Sequence, residues 1–456
     1  MSDTIAAIAT GGVVSAIGII RMSGDDAITI ANRIFRSYNG VNLTVAKDRQ
    51  MYYGELFGTD GKLIDIVLCV VTKAPNSYTG ENTAEFQCHG SPLVLSEVLK
   101  TLFKFGARQA LPGEFTKRAF LNGRMDLVQA EAVIDLIESE TVFAAQNAAG
   151  QLRGAVGIKL DSVYLTLVDI MAHFHAVIDY PDEDIDEFKM EGYLSQMRNA
   201  AASLERLLAT HERGRVMLHG IPTAIIGRPN TGKSSLLNAL LGYDRAIVTD
   251  IPGTTRDTVE EKVMFGGVLL RLIDTAGLRA TDDVVEKLGV ERTLSAISVA
   301  GLVILVLDGS ESMGIEDYEV LRSLPTDVPR IAVINKSDLP TVLDTVALHE
   351  FELECIKISA QTGEGLDLLD AKIKDLFPLL NKAPSGEIIT NERQADAISN
   401  ALSCVNSAID AIEAVVTPDA VVADIETALS SIGEITGKTM REDVVTRIFE
   451  RFCVGK

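Results

Sequence analysis

Residues 227–234, which read Gly-Arg-Pro-Asn-Thr-Gly-Lys-Ser, carry the clearest chemical signal in the sequence. An apolar run at 223–226 precedes them and residues 235–240 follow with helical spacing, so they occupy the strand–loop–helix setting of a phosphate-binding loop. In such a loop the backbone N–H groups surround the β-phosphate, and Lys233 places a positive charge at the β- and γ-phosphate oxygens. The hydroxyl of Ser234 can then bind Mg²⁺, so the sequence predicts a nucleoside triphosphate site.

A second motif, Asp-Thr-Ala-Gly at residues 274–277, follows the strand-like run 268–273. Asp274 can hold Mg²⁺ through a water molecule, and Gly277 can turn its N–H toward the γ-phosphate. This order is the one that a nucleotide-hydrolysing domain requires.

The nucleobase is specified by Asn-Lys-Ser-Asp at residues 335–338. Asp338 can accept hydrogen bonds from N1–H and the N2 amino group of guanine, whereas adenine would leave that carboxylate unpaired at a cost of about 1–3 kcal/mol. Ser359 and Ala360 follow another strand-like run and fit the loop that covers O6 of guanine. The ordered motifs therefore predict GTP as the nucleotide.

Composition limits the remaining possibilities. A chain of 456 residues is too long for one hydrophobic core, and a formal charge of −22 argues against tight non-specific binding to nucleic acid by the chain alone. The five cysteines are odd in number and lack metal-ligand spacing, which fits a reducing compartment. No apolar run approaches the ~20 residues that cross a bilayer, so we expect a cytoplasmic protein that contacts no membrane.

Hydrophobic periodicity divides the chain into four predicted domains. Residues 1–120 predict an α+β domain, 121–219 and 381–456 have helical spacing, and 220–380 alternate strands with helices as in a doubly wound sheet. Within the first domain the pattern predicts strands at 5–9, 16–22, 51–57 and 64–72 and helices at 25–35 and 92–105. We therefore predict a multidomain α/β and α+β protein, in which a Ras-like P-loop GTPase domain is inserted into a helical domain that is split in sequence.

The residues that would position the hydrolytic water differ from those of Ras-like enzymes. Those enzymes have a glutamine directly after the Asp-x-x-Gly motif, whereas this chain has Leu278, which cannot orient water. Asp282, Asp283 and Glu286 lie downstream, and any of them could supply a carboxylate. Asn230 could bind a monovalent cation beside the phosphates in place of an arginine finger, or could be a turn residue that bonds its own backbone.

Further segments resemble the MnmE family, also named TrmE, of GTPases that modify the tRNA wobble uridine. They are the switch-like loop 253–257 and the segments Tyr78-Thr79-Gly80-Glu81, His89-Gly90, Pro112-Gly113-Glu114-Phe115-Thr116, Arg118-Ala119-Phe120-Leu121-Asn122, Gln129-Ala130-Glu131-Ala132 and Phe452-Cys453-Val454-Gly455-Lys456. The resemblance covers the full length, and the guanine motifs alone are shared with many other GTPases.

The resemblance implies the ions of the GTPase domain. Mg²⁺ would be bound by Ser234 and Thr255, and Glu286 would orient the hydrolytic water. The K⁺ ligands, used when two GTPase domains meet face to face, would be Asn230, Thr249, Ile251 and Thr254. The predicted nucleotide-binding set is Asn230, Thr231, Gly232, Lys233, Ser234, Ser235, Thr249, Asp250, Ile251, Pro252, Gly253, Thr254, Thr255, Asp274, Thr275, Ala276, Gly277, Asn335, Lys336, Asp338, Ser359 and Ala360.

The resemblance also implies a folate site in the N-terminal domain, which is similar to folate-dependent one-carbon transferases and mediates dimerisation. A 5-formyl- or 5,10-methylene-tetrahydrofolate would contact Arg21, Glu85, Arg124 and Lys456. Cys453 would lie near the folate and join Lys233 and Glu286 as a candidate catalytic residue. From the residues alone, the arginines could equally form ordinary surface salt bridges, and Cys453 could be a small buried residue.

Three functions follow from these observations. The leading one, implied by the resemblance, is a K⁺-dependent GTPase that acts as a homodimer and in a heterotetramer with an FAD-dependent MnmG-type protein. It would add an aminomethyl or carboxymethylaminomethyl group to C5 of the tRNA wobble uridine, using a tetrahydrofolate one-carbon unit. The alternatives are a ribosome-assembly GTPase of the Era type, for which residues 433–437 are the nearest candidate for an RNA-binding Gly-x-x-Gly loop, and a folate sensor that only gates the switch.

Overall fold

The computed structural model describes residues 3–179, 190–243, 261–273, 296–377, 386–414, 417–440, 442–450 and 452–455. The chain forms two compact units. The first consists of Met1–Ile137, Ala148–Arg206 and Asp396–Lys456, and the second of Glu138–Asn147 and Leu207–Ala395. Both combine sheet and helix, which confirms the predicted multidomain α/β and α+β class, while the four domain bounds stay predictions.

A seven-stranded sheet of order β3-β4-β5-β6-β2-β1-β7 forms the N-terminal part of the first unit. Its strands are β1 (Ile5–Ile8), β2 (Ser15–Ser23), β3 (Phe35–Ser37), β4 (Met51–Phe57), β5 (Leu63–Thr72), β6 (Thr83–Gly90) and β7 (Arg108–Gln109). Neighbouring strands are antiparallel except β1 and β7. All four predicted strands are confirmed. Strands β3 and β7 escaped prediction because they are very short, whereas β6 was missed although Ala84, Phe86 and Cys88 alternate with Glu85, Gln87 and His89, which is the pattern of a strand with one buried face.

One face of this sheet carries the core of the domain. Helices α1 (Ala27–Ile34) and α2 (Pro92–Lys104), both predicted, pack there, and a 3₁₀ turn spans Leu43–Val45. The alternation of β4 is the reason for a one-sided core, since Tyr52 and Leu56 are buried whereas Tyr53 is exposed.

Helices predominate between residues 114 and 219 and again after 392. They are α3 (Glu114–Leu121), α4 (Leu127–Glu138), α5 (Val142–Leu152), α6 (Ala155–Asp179), α7 (Met190–Leu208), α8 (His211–His219), α13 (Glu392–Glu413), α14 (Pro418–Thr436) and α15 (Glu442–Phe449), numbered in chain order. Within the first unit α6 packs against α14, and Lys438 Nζ pairs with Asp161 Oδ1 at 2.7 Å. Helices that are distant in sequence thus pack together, as a helical domain split in sequence requires.

A six-stranded sheet of order β13-β12-β11-β8-β10-β9 forms the centre of the second unit. Its strands are β8 (Ile221–Ile226), β9 (Glu261–Phe265), β10 (Val268–Leu272), β11 (Leu302–Asp308), β12 (Arg330–Asn335) and β13 (Glu354–Lys357). The associated helices are α9 (Lys233–Tyr243), α10 (Ile315–Ser323), α11 (Val346–Glu350) and α12 (Leu366–Leu376). Only β9 and β10 are antiparallel among the pairs of this sheet.

Both faces of the second sheet are buried. On β11, Ile304 and Val306 belong to one apolar cluster, whereas Val303, Leu305 and Leu307 belong to the cluster on the other face. Burial on both faces explains why parallel strands such as β11 are apolar throughout. The carboxyl ends of β8, β11 and β12 meet at one edge, where ligands bind in doubly wound sheets.

Candidate nucleotide site and N-terminal cavity

The predicted phosphate-binding loop connects β8 to α9. Gly227 and Gly232 have φ values of 146° and 94°, a region that glycine enters without steric cost. A Cβ at Gly232 would lie 2.1 Å from Asn335 Nδ2, so only glycine fits where that side chain approaches the loop.

Lys233 curls back over this loop. Its Nζ donates hydrogen bonds to the carbonyl oxygens of Gly227 at 2.9 Å and Arg228 at 2.7 Å. Burial lowers the pKa of Lys233 from its ordinary value. The ammonium group is therefore held inside the curve of the loop, where it would meet the β- and γ-phosphate oxygens of a bound nucleotide.

Asn335 joins the phosphate loop to the guanine-binding loops. Its Nδ2 donates to Thr231 O, and its Oδ1 accepts from the N–H of Ala360, both at 2.9 Å. Ser359 is buried, and its Oγ accepts from the N–H of Thr362 at 3.2 Å. One buried amide thus fixes the spacing of three loops that the sequence analysis treated as separate motifs.

The carboxylate predicted to read guanine is exposed. Asp338 lies at the edge of the sheet, where a base can reach it. Lys336, with φ of 64°, pairs through Nζ with Asp308 Oδ2 at 2.5 Å. Burial raises the pKa of Asp308, but its hydrogen bonds from Lys336 and Ser310 outweigh burial and hold that pKa below its ordinary value. Sequence reasoning missed Asp308, although an aspartate at the end of the apolar run 302–307 was a usable signal.

A second ion pair anchors the phosphate loop. Arg228 Nη2 lies 2.6 Å from Glu311 Oε2, and Arg228 Nε lies 3.4 Å from Asp317 Oδ2. Asp317 is buried in the first turn of α10. The segment that follows β11 therefore holds both the phosphate loop, through Arg228, and the guanine loop, through Asp308.

The structure describes two of the predicted ion ligands, Ser234 and Asn230. Ser234 lies in the first turn of α9, and Asn230 is exposed with φ of 63°. The φ value of Asn230 is one that asparagine adopts in turns, so the turn residue and the cation ligand both stay predictions. The residues that the structure describes contain no group of three or more His, Cys, Asp or Glu side chains that could hold a metal.

Several predicted residues lie outside the described ranges. They are Thr249, Asp250, Ile251, Pro252, Gly253, Thr254, Thr255, Asp274, Thr275, Ala276, Gly277, Glu286 and Lys456, together with the alternatives Asp282 and Asp283.

The N-terminal domain contains a cavity of about 380 Å³. Residues of β5, β6 and the loop 76–78 line it, together with Arg49 and Arg124. Glu85 also lines it, so two of the four residues predicted for folate border one cavity.

Arg21 approaches this cavity through Glu85. The two face each other in the register of β2 and β6, and Arg21 Nε lies 2.7 Å from Glu85 Oε1. The Arg21 guanidinium also lies over the rings of Tyr78 and Phe115, at 5.6 and 5.7 Å from their centroids. Arg21 therefore forms a salt bridge, as the alternative to folate binding predicted, but its partner is Glu85, the carboxylate that lines the cavity.

The C-terminal segment docks on the same domain. Val454 forms an antiparallel bridge with Pro112, and Gly113 N–H donates to Cys453 O at 3.3 Å. Gly455 has φ of 99°, and a Cβ there would lie 2.4 Å from Ile8 O. Cys453 is exposed, so the alternative of a small buried residue is wrong, and it is absent from the cavity lining.

A buried ion network underlies the segments 78–81, 112–116 and 118–122. Arg118 lies 3.0 Å from both Glu81 Oε2 and Glu114 Oε1, and Arg108 lies 2.5 Å from Glu114 Oε1. Burial raises the pKa of Glu114, but hydrogen bonds from Arg108, the N–H of Leu111 and Arg118 outweigh burial and bring that pKa below its ordinary value. Sequence reasoning missed this structural role: Glu114 and Arg118 are four residues apart on one helix, but Glu81 is 37 residues from Arg118, and only the fold brings it to the pair.

Comparisons with known proteins cover the whole chain. Family models match GTP-binding protein TrmE N-terminus over residues 4–124 and MnmE helical domain over residues 127–453. The tRNA modification GTPase MnmE of Thermoanaerobacter pseudethanolicus is 44% identical to this chain. The alignment spans 100% of this chain and 99% of that protein. The proteins of the same name from Clostridioides difficile and Lacticaseibacillus paracasei are 40% and 41% identical, with 100% of this chain aligned to 100% and 98% of their lengths.

Proposed function

Because this chain belongs to the MnmE family of tRNA modification GTPases, we propose that its GTP hydrolysis serves one modification, the addition of an aminomethyl or carboxymethylaminomethyl group to C5 of the tRNA wobble uridine. The observation that carries the proposal is the similarity to such GTPases along the entire chain. The proposal includes the four predicted domains, at 1–120, 121–219, 220–380 and 381–456. It also includes tetrahydrofolate as the source of the one-carbon unit.

The phosphate loop supports the assignment of roles in hydrolysis. Lys233 would neutralise charge at the β- and γ-phosphate oxygens, Ser234 with Thr255 would hold Mg²⁺, and Asp338 would read guanine. Asn230, which is exposed, fits an oxygen ligand of K⁺ together with Thr249, Ile251 and Thr254. When bound, K⁺ supplies positive charge where an arginine finger otherwise acts, and Glu286 would orient the water.

The N-terminal cavity fits the proposed folate. Its volume of about 380 Å³ lies within the range of small-molecule sites. Glu85 can accept hydrogen bonds from N–H groups of a pterin, and arginines can pair with the glutamate carboxylates. When bound, the folate supplies the one-carbon unit, while Arg21 orients the Glu85 carboxylate, and Lys456 and Cys453 would complete the site from the C-terminal segment.

An unpartnered apolar face supports the proposed homodimer. Ile17, Tyr53 and Leu68 are 57, 56 and 37% exposed on the sheet face opposite the two packed helices. Apolar side chains of this kind are typical of a surface that a partner covers. The FAD-dependent MnmG-type partner comes to the proposal from the family alone.

The Era-type alternative loses its structural basis. Gly433 lies within α14, and Gly437 ends that helix with φ of 87°, so the segment 433–437 is a helix end and not an RNA-binding loop. The chain belongs instead to a family of tRNA modification GTPases.

The first experiment measures GTP turnover in K⁺ and in Na⁺ at matched ionic strength. We expect an acceleration of about 10²-fold in K⁺, because a cation beside the phosphates stabilises the developing charge. Asn230→Ala should abolish the acceleration, whereas Asn238→Ala, on the exposed side of α9, should preserve it. Equal rates in both salts would contradict the K⁺ mechanism.

The second experiment reconstitutes the protein with an MnmG-type flavoprotein, tRNA and 5,10-methylene-tetrahydrofolate, and identifies the wobble nucleoside by mass spectrometry. We expect Arg21→Gln and Cys453→Ser to reduce modification while GTP hydrolysis continues. That result would speak against the folate-sensor alternative, whereas full modification by both variants would contradict the proposed roles of Arg21 and Cys453.

A further inference from the structure

The cavity of the N-terminal domain has unbalanced positive charge at its mouth. Among the residues that the structure describes, Glu85 is the one carboxylate of the lining, and Arg21 already neutralises it. Arg124 forms no ion pair with any residue that the structure describes, and Arg49 has only Asp48, at 3.7 Å between Nε and Oδ2. Two guanidinium groups without close carboxylates are unusual in a chain of net charge −22 and point to an anionic ligand.

The charges are arranged from the inside outward. The side chains of Arg21 and Glu85 are 21 and 28% exposed, whereas the Arg49 side chain is 61% exposed, and Arg124 is also exposed. The inner pair therefore presents a carboxylate oxygen to polar N–H groups, and the outer pair presents guanidinium donors to anions. A ligand that satisfies both has an N–H-bearing end and a chain of anionic groups.

Arg49 is held in position by its surroundings. Its N–H donates to Val71 O at 2.9 Å, and its guanidinium donates to the carbonyl oxygen of Asn76, in the loop that lines the cavity. The neighbouring Asp48 Oδ1 accepts from the N–H of Lys73 at 2.8 Å. Arg49 has φ of 58°, a conformation that costs an L-residue energy and that glycine would adopt more readily, so the backbone does not account for arginine here.

We infer that Arg49 and Arg124 form an anion site at the cavity mouth that binds the γ-linked glutamate carboxylates beyond the first one of a reduced folate. The ligand class is then polyglutamylated tetrahydrofolate. This inference rests on the proposed folate function, and it assigns Arg49 as a binding residue that the resemblance does not supply.

The test measures binding of 5-formyl-tetrahydrofolate to the full chain by isothermal titration calorimetry, with the monoglutamate and the pentaglutamate as probes. We expect the pentaglutamate to bind about tenfold more tightly at low salt, and this advantage to shrink as salt is added. Arg49→Gln should reduce the advantage to about twofold and weaken monoglutamate binding much less than pentaglutamate binding, and Arg49→Lys should restore part of the advantage.

A matched control removes another exposed arginine of the same domain. Arg36 stacks on Phe57, with 4.5 Å from its guanidinium to the ring centroid, and does not line the cavity. Arg36→Gln changes the net charge as much as Arg49→Gln does, so it should preserve the pentaglutamate advantage.

The possible outcomes distinguish failure of the polyglutamate site from failure of the proposed folate function. Equal affinity of the wild-type protein for both probes would overturn the polyglutamate site while leaving the folate site intact. An equal loss of both probes in Arg49→Gln would also overturn it, since Arg49 would then only stabilise the loop 76–78. Failure of the wild-type protein to bind either probe would contradict the proposed folate function itself.

Discussion

The nucleotide site and the N-terminal cavity are positioned by different kinds of contact. At the nucleotide site, buried side chains such as Asn335 and Asp308 bond directly to the loops that would hold GTP. At the cavity, the lining residues range from buried Ser77 and Thr83 to exposed Arg49 and Arg124, and the buried ion network of Arg118 lies beneath the loop that borders them. The residues that would contact GTP lie in short motifs and can be read from the sequence, whereas the cavity is lined by residues between Arg49 and Arg124 that no short motif joins.

The largest expected effect tests the support beneath the cavity. Arg118→Gln removes the guanidinium between two carboxylates that are only 14 and 10% exposed. We expect the free energy of unfolding of the first unit to fall by about 3–5 kcal/mol, because Glu81 would remain buried without a counter-charge and Glu114 would keep only Arg108. Chemical denaturation followed by circular dichroism measures the change.

Arg198→Gln is the control for that experiment. Arg198 pairs with Glu413 at the surface of the same unit, with side chains 61 and 46% exposed, so its loss should cost less than about 1 kcal/mol. A similar small effect in Arg118→Gln would show that the network does not support the cavity.

The next effect tests the nucleotide site through its own motif. Lys233→Ala removes the positive charge held inside the phosphate loop, and we expect kcat/KM for GTP to fall by about 10²–10³-fold. Steady-state phosphate release measures the loss. Lys262→Ala, which removes an exposed ion pair with Glu140, should leave kcat/KM unchanged, and an equal loss in both variants would contradict a specific role for Lys233.

A smaller effect sharpens the distinction between holding a loop and reading a base. Asn335→Ala leaves Thr231 O and the N–H of Ala360 without their partner, so the second unit should lose about 1–3 kcal/mol of stability and also bind GTP more weakly. Asp338→Asn should weaken GTP binding without lowering stability, because Asp338 is exposed. Thermal unfolding and equilibrium binding of a fluorescent GTP analogue distinguish the two, and equal stability of both variants would contradict the assignment.

The smallest effect is the pH dependence of the first unit. Hydrogen bonding to Arg108 lowers the pKa of Asp3, and the Glu114 pKa also lies below its ordinary value of 4.5. A carboxyl with a lowered folded-state pKa contributes stability that is complete above its unfolded pKa and is lost as pH falls through the folded pKa. We therefore expect stability to decline as pH falls below 4.5, with a shallower decline in Arg118→Gln. Unfolding at a series of pH values checks this, and parallel declines would exclude the network as the cause.

Much of the architecture followed from the sequence, with informative exceptions. The strands 51–57 and 64–72 were confirmed because alternation of apolar residues reports a sheet with one buried face. Strand β6 was missed although it has the same alternation, with Ala84, Phe86 and Cys88 buried and Glu85, Gln87 and His89 on the outer face. The local signal for this strand was therefore present in the sequence.

By itself the sequence determined the nucleotide, because the phosphate-loop and guanine contacts come from residues adjacent in the chain, whose spacing fixes their chemistry. The tertiary structure alone decided that Asn335 and Asp308 join those loops, that Arg21 faces Glu85, and that Arg49 borders the cavity with Arg124. These pairings depend on strand register and on backbone approach across many residues. Local propensity carries no information about either, because both follow from how the whole sheet packs.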